Sequence, residues 1–140
     1  MLLFTALMRR SNRFKAKTMG CVMSRKQSLG KKGEEAARAF LESRGYKVET
    51  VNYRTPAGEI DIVARDKAVM VFVEVKTRKS LTFGLPYEAV HFHKQAKIRR
   101  VAMQYLAEKA VSCRGMRFDV ISILISPAGD YQIEHLVNAF

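Results

Sequence analysis

The chain has 140 residues, 48% of them hydrophobic, with 25 Lys+Arg against 13 Asp+Glu and a net charge of +12. That length suits one domain with a proper core, no apolar run reaches the ~18 residues of a membrane-spanning helix, and two cysteines are too few for a disulfide framework or a zinc site. No glycine-rich phosphate loop of either common pattern is present, while the charge asks for a polyanionic partner, nucleic acid above all.

The charge is uneven. Residues 1–33 hold nine of the basic residues and no acid, which leaves 16 basic against 13 acidic residues downstream. Residues 1–28 therefore read as a basic N-terminal extension, either disordered or the product of a misassigned start, with Met8, Met19 and Met23 as alternative starts. The apolar patch at Leu2–Met8 precedes its basic residues, the reverse of a secretory signal. Residues 29–140 are expected to be the folded domain.

The first element of that domain is a helix over residues 28–44. Ser28 is placed to cap it and Gly45 to close it in a left-handed conformation. Leu29, Gly33, Ala36, Ala37, Phe40 and Leu41 form an apolar stripe at helical spacing, and Glu34 sits at its edge. A strand follows over Tyr46–Arg54, then a turn at Thr55-Pro56-Ala57-Gly58. Glu59–Arg65 is a second strand, with Ile60, Ile62 and Ala64 on one face and Glu59, Asp61 and Val63 on the other. Val69–Arg78 is a third. Val69, Val71, Val73 and Val75 face one way, Met70, Phe72, Glu74 and Lys76 the other, and the apolar start of both faces marks a central strand. A loop with Gly84 leads to a helix from Pro86 to about Ala110, broken near His91, whose core face is Ile98, Val101, Ala102, Tyr105 and Leu106. Arg117–Ser126 and Tyr131–Val137 are the last strands. The order α-β-β-β-α-β-β predicts an α/β fold, a mixed five-stranded sheet with a helix on each face.

The chemistry concentrates in Gly58-Glu59-Ile60-Asp61 and, after twelve intervening residues, Glu74-Val75-Lys76. Glu74 and Lys76 are two apart on a strand and so share a face. If the second and third strands pair as a hairpin, Asp61 joins them. Two clustered carboxylates suit a hydrated Mg²⁺ (or Mn²⁺), which takes oxygen ligands and keeps positions open for phosphate. Asp61, Glu74 and the carbonyl of Val75 are the expected ligands, with Glu34 reaching the metal directly or through water. Lys76, costly on an apolar strand unless its charge is matched, is suited to orient an attacking water and offset phosphoryl charge. The plain alternative is an ordinary ion pair at a strand end.

From about Leu29 to Phe140 the chain resembles the YraN-like family of uncharacterised bacterial proteins, which are themselves similar to the PD-(D/E)xK, restriction-endonuclease-like nucleases and especially to archaeal Holliday-junction resolvases. The matching stretches are Gly30-Lys31-Lys32-Gly33-Glu34, Gly58 to Ala64, Val71 to Arg78, Gly84 to Val90 with Lys94, and Asn138-Ala139-Phe140. The resemblance implies a restriction-endonuclease-like fold and a metal-dependent endonuclease acting on nucleic acid, with DNA favoured over RNA and branched DNA a candidate substrate. Glu34, Asp61, Glu74 and Lys76 would be its catalytic set. A dimer is expected if the likeness to resolvases extends to assembly. Two alternatives stay open: a non-catalytic nucleic-acid-binding protein with the same fold, and a factor associated with the ribosome or another basic assembly. Arg78, Lys94, Lys97, Arg99 and Arg100 are the expected phosphate contacts. Glu59 is a candidate second acid, and His91 and His93 lack a third ligand for zinc. A cytoplasmic protein with no membrane partner is expected.

Overall fold

The computed structural model of the chain describes residues 14–16, 29–79 and 91–140. Its elements are β1 (Phe14–Ala16), α1 (Leu29–Ser43), β2 (Lys47–Thr55), β3 (Gly58–Asp66), β4 (Val69–Arg78), α2 (Phe92–Glu108), β5 (Gly115–Ile125) and β6 (Tyr131–Leu136). The strands form one sheet in the order β1-β6-β5-β4-β3-β2. Among the described strands only β4 and β5 run parallel, joined through α2; the other neighbours are antiparallel. The expected α/β fold and order are therefore present. The expected cap at Ser28, the loop at Gly84 and the helix start at Pro86 lie outside the described residues.

One short strand was not expected. Phe14–Ala16, within the stretch read as an extension, pairs with β6 through Phe14–Ile133, Lys15–Gln132 and Ala16–Tyr131. Backbone pairing to an open sheet edge asks little of side-chain pattern, so the sequence carries no sign of it.

The core has two halves, one on each face of the sheet. On one side α2 places Ile98, Val101, Ala102 and Tyr105 against Val63, Met70, Phe72, Phe118 and Val120. On the other, α1 places Ala37, Phe40 and Leu41 against Ile62, Ala64, Val71, Val73, Ile121 and Ile123. The fully buried Phe72, Val71 and Val73 put β4 at the centre with both faces covered, as its continuous apolar run predicts. Gly45 closes α1 at φ 85°.

The period-two expectation for β3 fails at one point. Ile62 and Ala64 face α1, but Ile60 packs in the α2 half beside Val63. The strand changes face between Ile60 and Ile62, at Asp61. Alternation needs a continuous extended backbone, and here the pairing is irregular on both sides of β3: the β3–β4 ladder ends at Ile62–Val73, and Asn52, opposite Asp61 in β2, is at φ 52°.

Candidate active site

The site begins where that ladder opens. The register carries β3 and β4 together from Asp66–Val69 to Ile62–Val73; one step further, Asp61 and Glu74 would stand opposite each other. Instead Asp61 Oδ2 accepts the backbone N–H of Val75 at 2.8 Å. The carboxylate takes over a ladder position and satisfies a donor that the separating strand no longer serves.

Glu74 and Lys76 share the α2 face of β4, as their spacing requires. Glu74 is 5% exposed, and Lys76 Nζ lies 3.1 Å from its Oε1. Lys94, from the first turns of α2, also reaches Glu74 Oε1. Lys94 was expected on an outward phosphate-binding face; it is turned inward because the buried Glu74 beneath α2 needs a countercharge.

The cluster is electrostatically unbalanced. Burial and then the negative charge of Glu74 push the Asp61 carboxyl up to about 7; the Val75 N–H and the Lys94 charge pull it down, and Glu34 adds to the rise. Burial lowers the Lys76 ammonium, with the neighbouring Lys94 adding to the effect against the pull of Glu74. Burial, the largest single influence, opposes the charge of Lys94 too, but the hydrogen bond and negative charge of Glu74, with Lys76 and Asp61, together raise it.

Glu34 enters from α1. A Cβ at Gly33 would lie 1.8 Å from Thr77 Oγ1, so only glycine lets α1 lie this close to the end of β4. Glu34, next in the chain, is half-buried and its Oε2 accepts a hydrogen bond from Asn52 Nδ2 at 3.0 Å. Asn52 is in the left-handed region at φ 52°. Its place in the candidate set was not read from the sequence; the sole sign there is an asparagine, a poor strand former, in the middle of a strand.

The remaining candidates divide. Lys97 and Arg100 are exposed on α2 and Arg78 is half-buried at the end of β4. Arg99 is exposed, but its guanidinium lies over the rings of Phe118 and Phe140, 5.5 and 5.3 Å from their centroids. Glu59 pairs with Arg54 at 3.0 Å on the surface, which places it in a cross-strand pair on the sheet's edge. Phe92, two residues before Lys94, is 75% exposed.

A second polar cluster lies on the α1 face of β5. Asp119, fully buried, accepts from Arg117 Nε at 3.1 Å and from the Asn138 N–H at 2.9 Å, and stands 2.7 Å from His135 Nε2. Arg117 also donates to Asp66 at 3.0 Å and to the Tyr46 hydroxyl at 2.6 Å.

The first cluster fits a hard divalent cation by its donors. The negative charge of Glu74 penalises the charge of Asp61, a repulsion that a cation relieves. Among the described residues, no three His, Cys, Asp or Glu side chains already form one metal-holding group, so the donor set is the Asp61–Glu74 pair with the Val75 carbonyl, and Glu34 stands back from it. No described helix is long and apolar enough to cross a membrane.

Comparison with known proteins adds a lineage. The model of the uncharacterised protein family UPF0102 matches residues 33–123, a span that includes Glu34, Asn52, Asp61, Glu74, Lys76 and Lys94. A UPF0102 protein of Dictyoglomus turgidum is 45% identical over 115 residues, covering 81% of this chain and 98% of its own. Those of Nocardia farcinica and Beutenbergia cavernae are 46% and 47% identical, over 82% and 81% of this chain and 91% and 97% of theirs.

Proposed function

The chain belongs to the UPF0102 family, the one named above as YraN-like, and for it we propose a divalent-cation-dependent hydrolase of phosphodiester bonds in nucleic acid, with DNA preferred. The observation that carries this reading is the meeting of Asp61, Glu74 and Lys76 at the point where the β3–β4 ladder opens. Asp61 has turned into the ladder and Glu74 holds two lysines around one oxygen. A purely structural ion pair needs neither the second carboxylate nor the second ammonium.

Asp61, Glu74 and the Val75 carbonyl would hold the Mg²⁺ or Mn²⁺. When bound, the ion offsets negative charge on the phosphoryl oxygens and makes water a better nucleophile at neutral pH. Lys76 Nζ, fixed against Glu74, orients the attacking water and donates to the phosphoryl group as its charge builds. Lys94 Nζ, which shares the Glu74 oxygen, would be a second donor for the phosphate once a cation took its place on Glu74. Lys97 and Arg100 extend positive charge along α2 for the neighbouring backbone. The exposed ring of Phe92 at the start of α2 offers a stacking face for an unpaired base, which favours flapped or branched DNA over plain duplex.

A second reading has its own observation. The contact of Lys94 with Glu74 already supplies a countercharge, as expected of a fold that binds nucleic acid without cutting it. A panel of branched, flapped, single-stranded and duplex DNA, with RNA alongside, incubated with Mg²⁺ or Mn²⁺ separates the two. Cleavage is expected to fall at least a hundredfold in Asp61→Ala and Lys76→Ala proteins while binding persists. Binding without cleavage by the wild type would favour the second reading, and equal cutting by wild type and both variants would trace the activity to a contaminant.

A further inference from the structure

Asn52 stands opposite Asp61, where β3 changes face, and its own backbone leaves the strand conformation there. It lies between the Val51–Ile62 and Tyr53–Ile60 pairs of the β2–β3 ladder, a register that sets it opposite Asp61. In that position a strand residue should be extended, yet its φ is 52°. Of the four non-glycine residues at positive φ among the described residues, Lys67, Ala110 and Asn138 lie in turns, where such angles are ordinary; Asn52 lies within a strand. A left-handed residue in a strand costs free energy, and that cost persists where something else requires the geometry. What the geometry does here is aim the side-chain amide out of the strand and onto α1, where Nδ2 donates to Glu34 Oε2 at 3.0 Å.

We infer that Asn52 is a positioning residue: its strained backbone holds the Glu34 carboxylate at the edge of the Asp61–Glu74 pair, so that Glu34 contributes to cation binding from one remove. Two further features fit. Gly33 brings the first turns of α1 down onto the end of β4, which sets the helix height but leaves the long Glu34 side chain free to rotate. The negative charge of Glu34 is already felt at Asp61. Groups that orient metal ligands in this way commonly change affinity about ten- to a hundredfold when lost. The inference rests on the cation-dependent reading proposed above.

The test measures Mn²⁺ affinity by calorimetry, with thermal melting of the metal-free protein as an independent readout. Asn52→Gly keeps the left-handed backbone accessible but removes the amide. It is expected to bind Mn²⁺ about tenfold more weakly, with a melting temperature unchanged or raised, since the strain is gone. Glu34→Gln leaves the backbone of β2 untouched, so a fold defect cannot account for its effect; it should weaken Mn²⁺ to a similar degree. The double variant should be no weaker than the weaker single variant, because both changes remove one interaction. Wild-type affinity in Asn52→Gly with weakened binding in Glu34→Gln would overturn the role of Asn52 and leave the cation site standing. Additive losses in the double variant, or a loss of affinity in Asn52→Gly matched by a lowered melting temperature, would also overturn it. A wild type that binds no Mn²⁺ would overturn both readings together.

Discussion

The two buried polar clusters sit on opposite faces of the same sheet, and they are built on opposite terms. Around Asp119 every group finds a match: the carboxylate has Arg117, His135 and the Asn138 N–H, and Arg117 is completed by Asp66 and Tyr46. Around Asp61 the terms do not close. One backbone N–H serves a carboxylate pushed up to about 7 by burial and by Glu74, while burial weakens the charge of Lys76. A network satisfied from within has no need of a ligand and stabilises one arrangement. A network left unbalanced at the opening of a ladder is what a binding or catalytic centre looks like before its partner arrives. On the function proposed above, the contrast puts stability on one face of the sheet and chemistry on the other.

The most severe way to break that contrast is Asp119→Ala. It strands Arg117 and His135 against a core, and a cost of about 3–5 kcal/mol in urea unfolding is expected. A loss below about 1 kcal/mol would show that the matched network contributes no more than a surface pair.

Gly33→Ala tests whether the two faces are mechanically linked. The added methyl meets Thr77 Oγ1, so α1 must lift or Thr77 must turn. Overpacking of this kind costs about 1–3 kcal/mol. Because Glu34 follows Gly33 directly, Mn²⁺ affinity should fall as well, and a companion Thr77→Ser/Gly33→Ala protein should not recover it, since the hydroxyl that clashes is still present. Thr77→Ala with Gly33→Ala should recover part of both losses.

The smallest effect has the most telling sign. A carboxyl whose folded pKa is raised from 3.8 to about 7 binds more protons folded than unfolded. Its contribution is intact below about pH 4 and is lost as pH rises toward 7. Metal-free protein should therefore lose stability across that window, and Mg²⁺ should restore it above. Asp61→Asn keeps an acceptor for the Val75 N–H and removes the charge. At pH 7.5 without metal it should melt higher than wild type, by about 1 kcal/mol once solvent screening of a partly exposed group is allowed for, and its stability should no longer fall across the window. Asp119→Asn should instead melt lower, because its charge is matched. Equal signs for the two asparagine variants would erase the distinction between the clusters.

Most of the fold was legible in the residue order. The stripes at three and four along Gly33–Leu41 and Ile98–Leu106, and the alternation from Val69 to Lys76, are local patterns that backbone geometry converts directly into faces. Asp61, Glu74 and Lys76 were legible for the same reason: a carboxylate or an ammonium on an apolar strand conflicts with its own surroundings, and the conflict shows in a single chain. What tertiary structure decided are the encounters between residues far apart in sequence. Lys94 turns inward because α2 crosses above Glu74. Asn52 matters because β2 lies beside β3 and α1 comes down over both. Ile60 changes face because the pairing of β3 breaks at Asp61, where the ladder with β4 has ended at Ile62 and Asn52 opposite in β2 leaves the extended conformation. Arg117, Asp119 and His135 read as ordinary strand residues until β5 and β6 pair beneath α1. Periodicity reports which way a side chain points relative to its own strand or helix; which charge waits on the other side is set by the order of strands in the sheet, and that order exists only once the chain has folded.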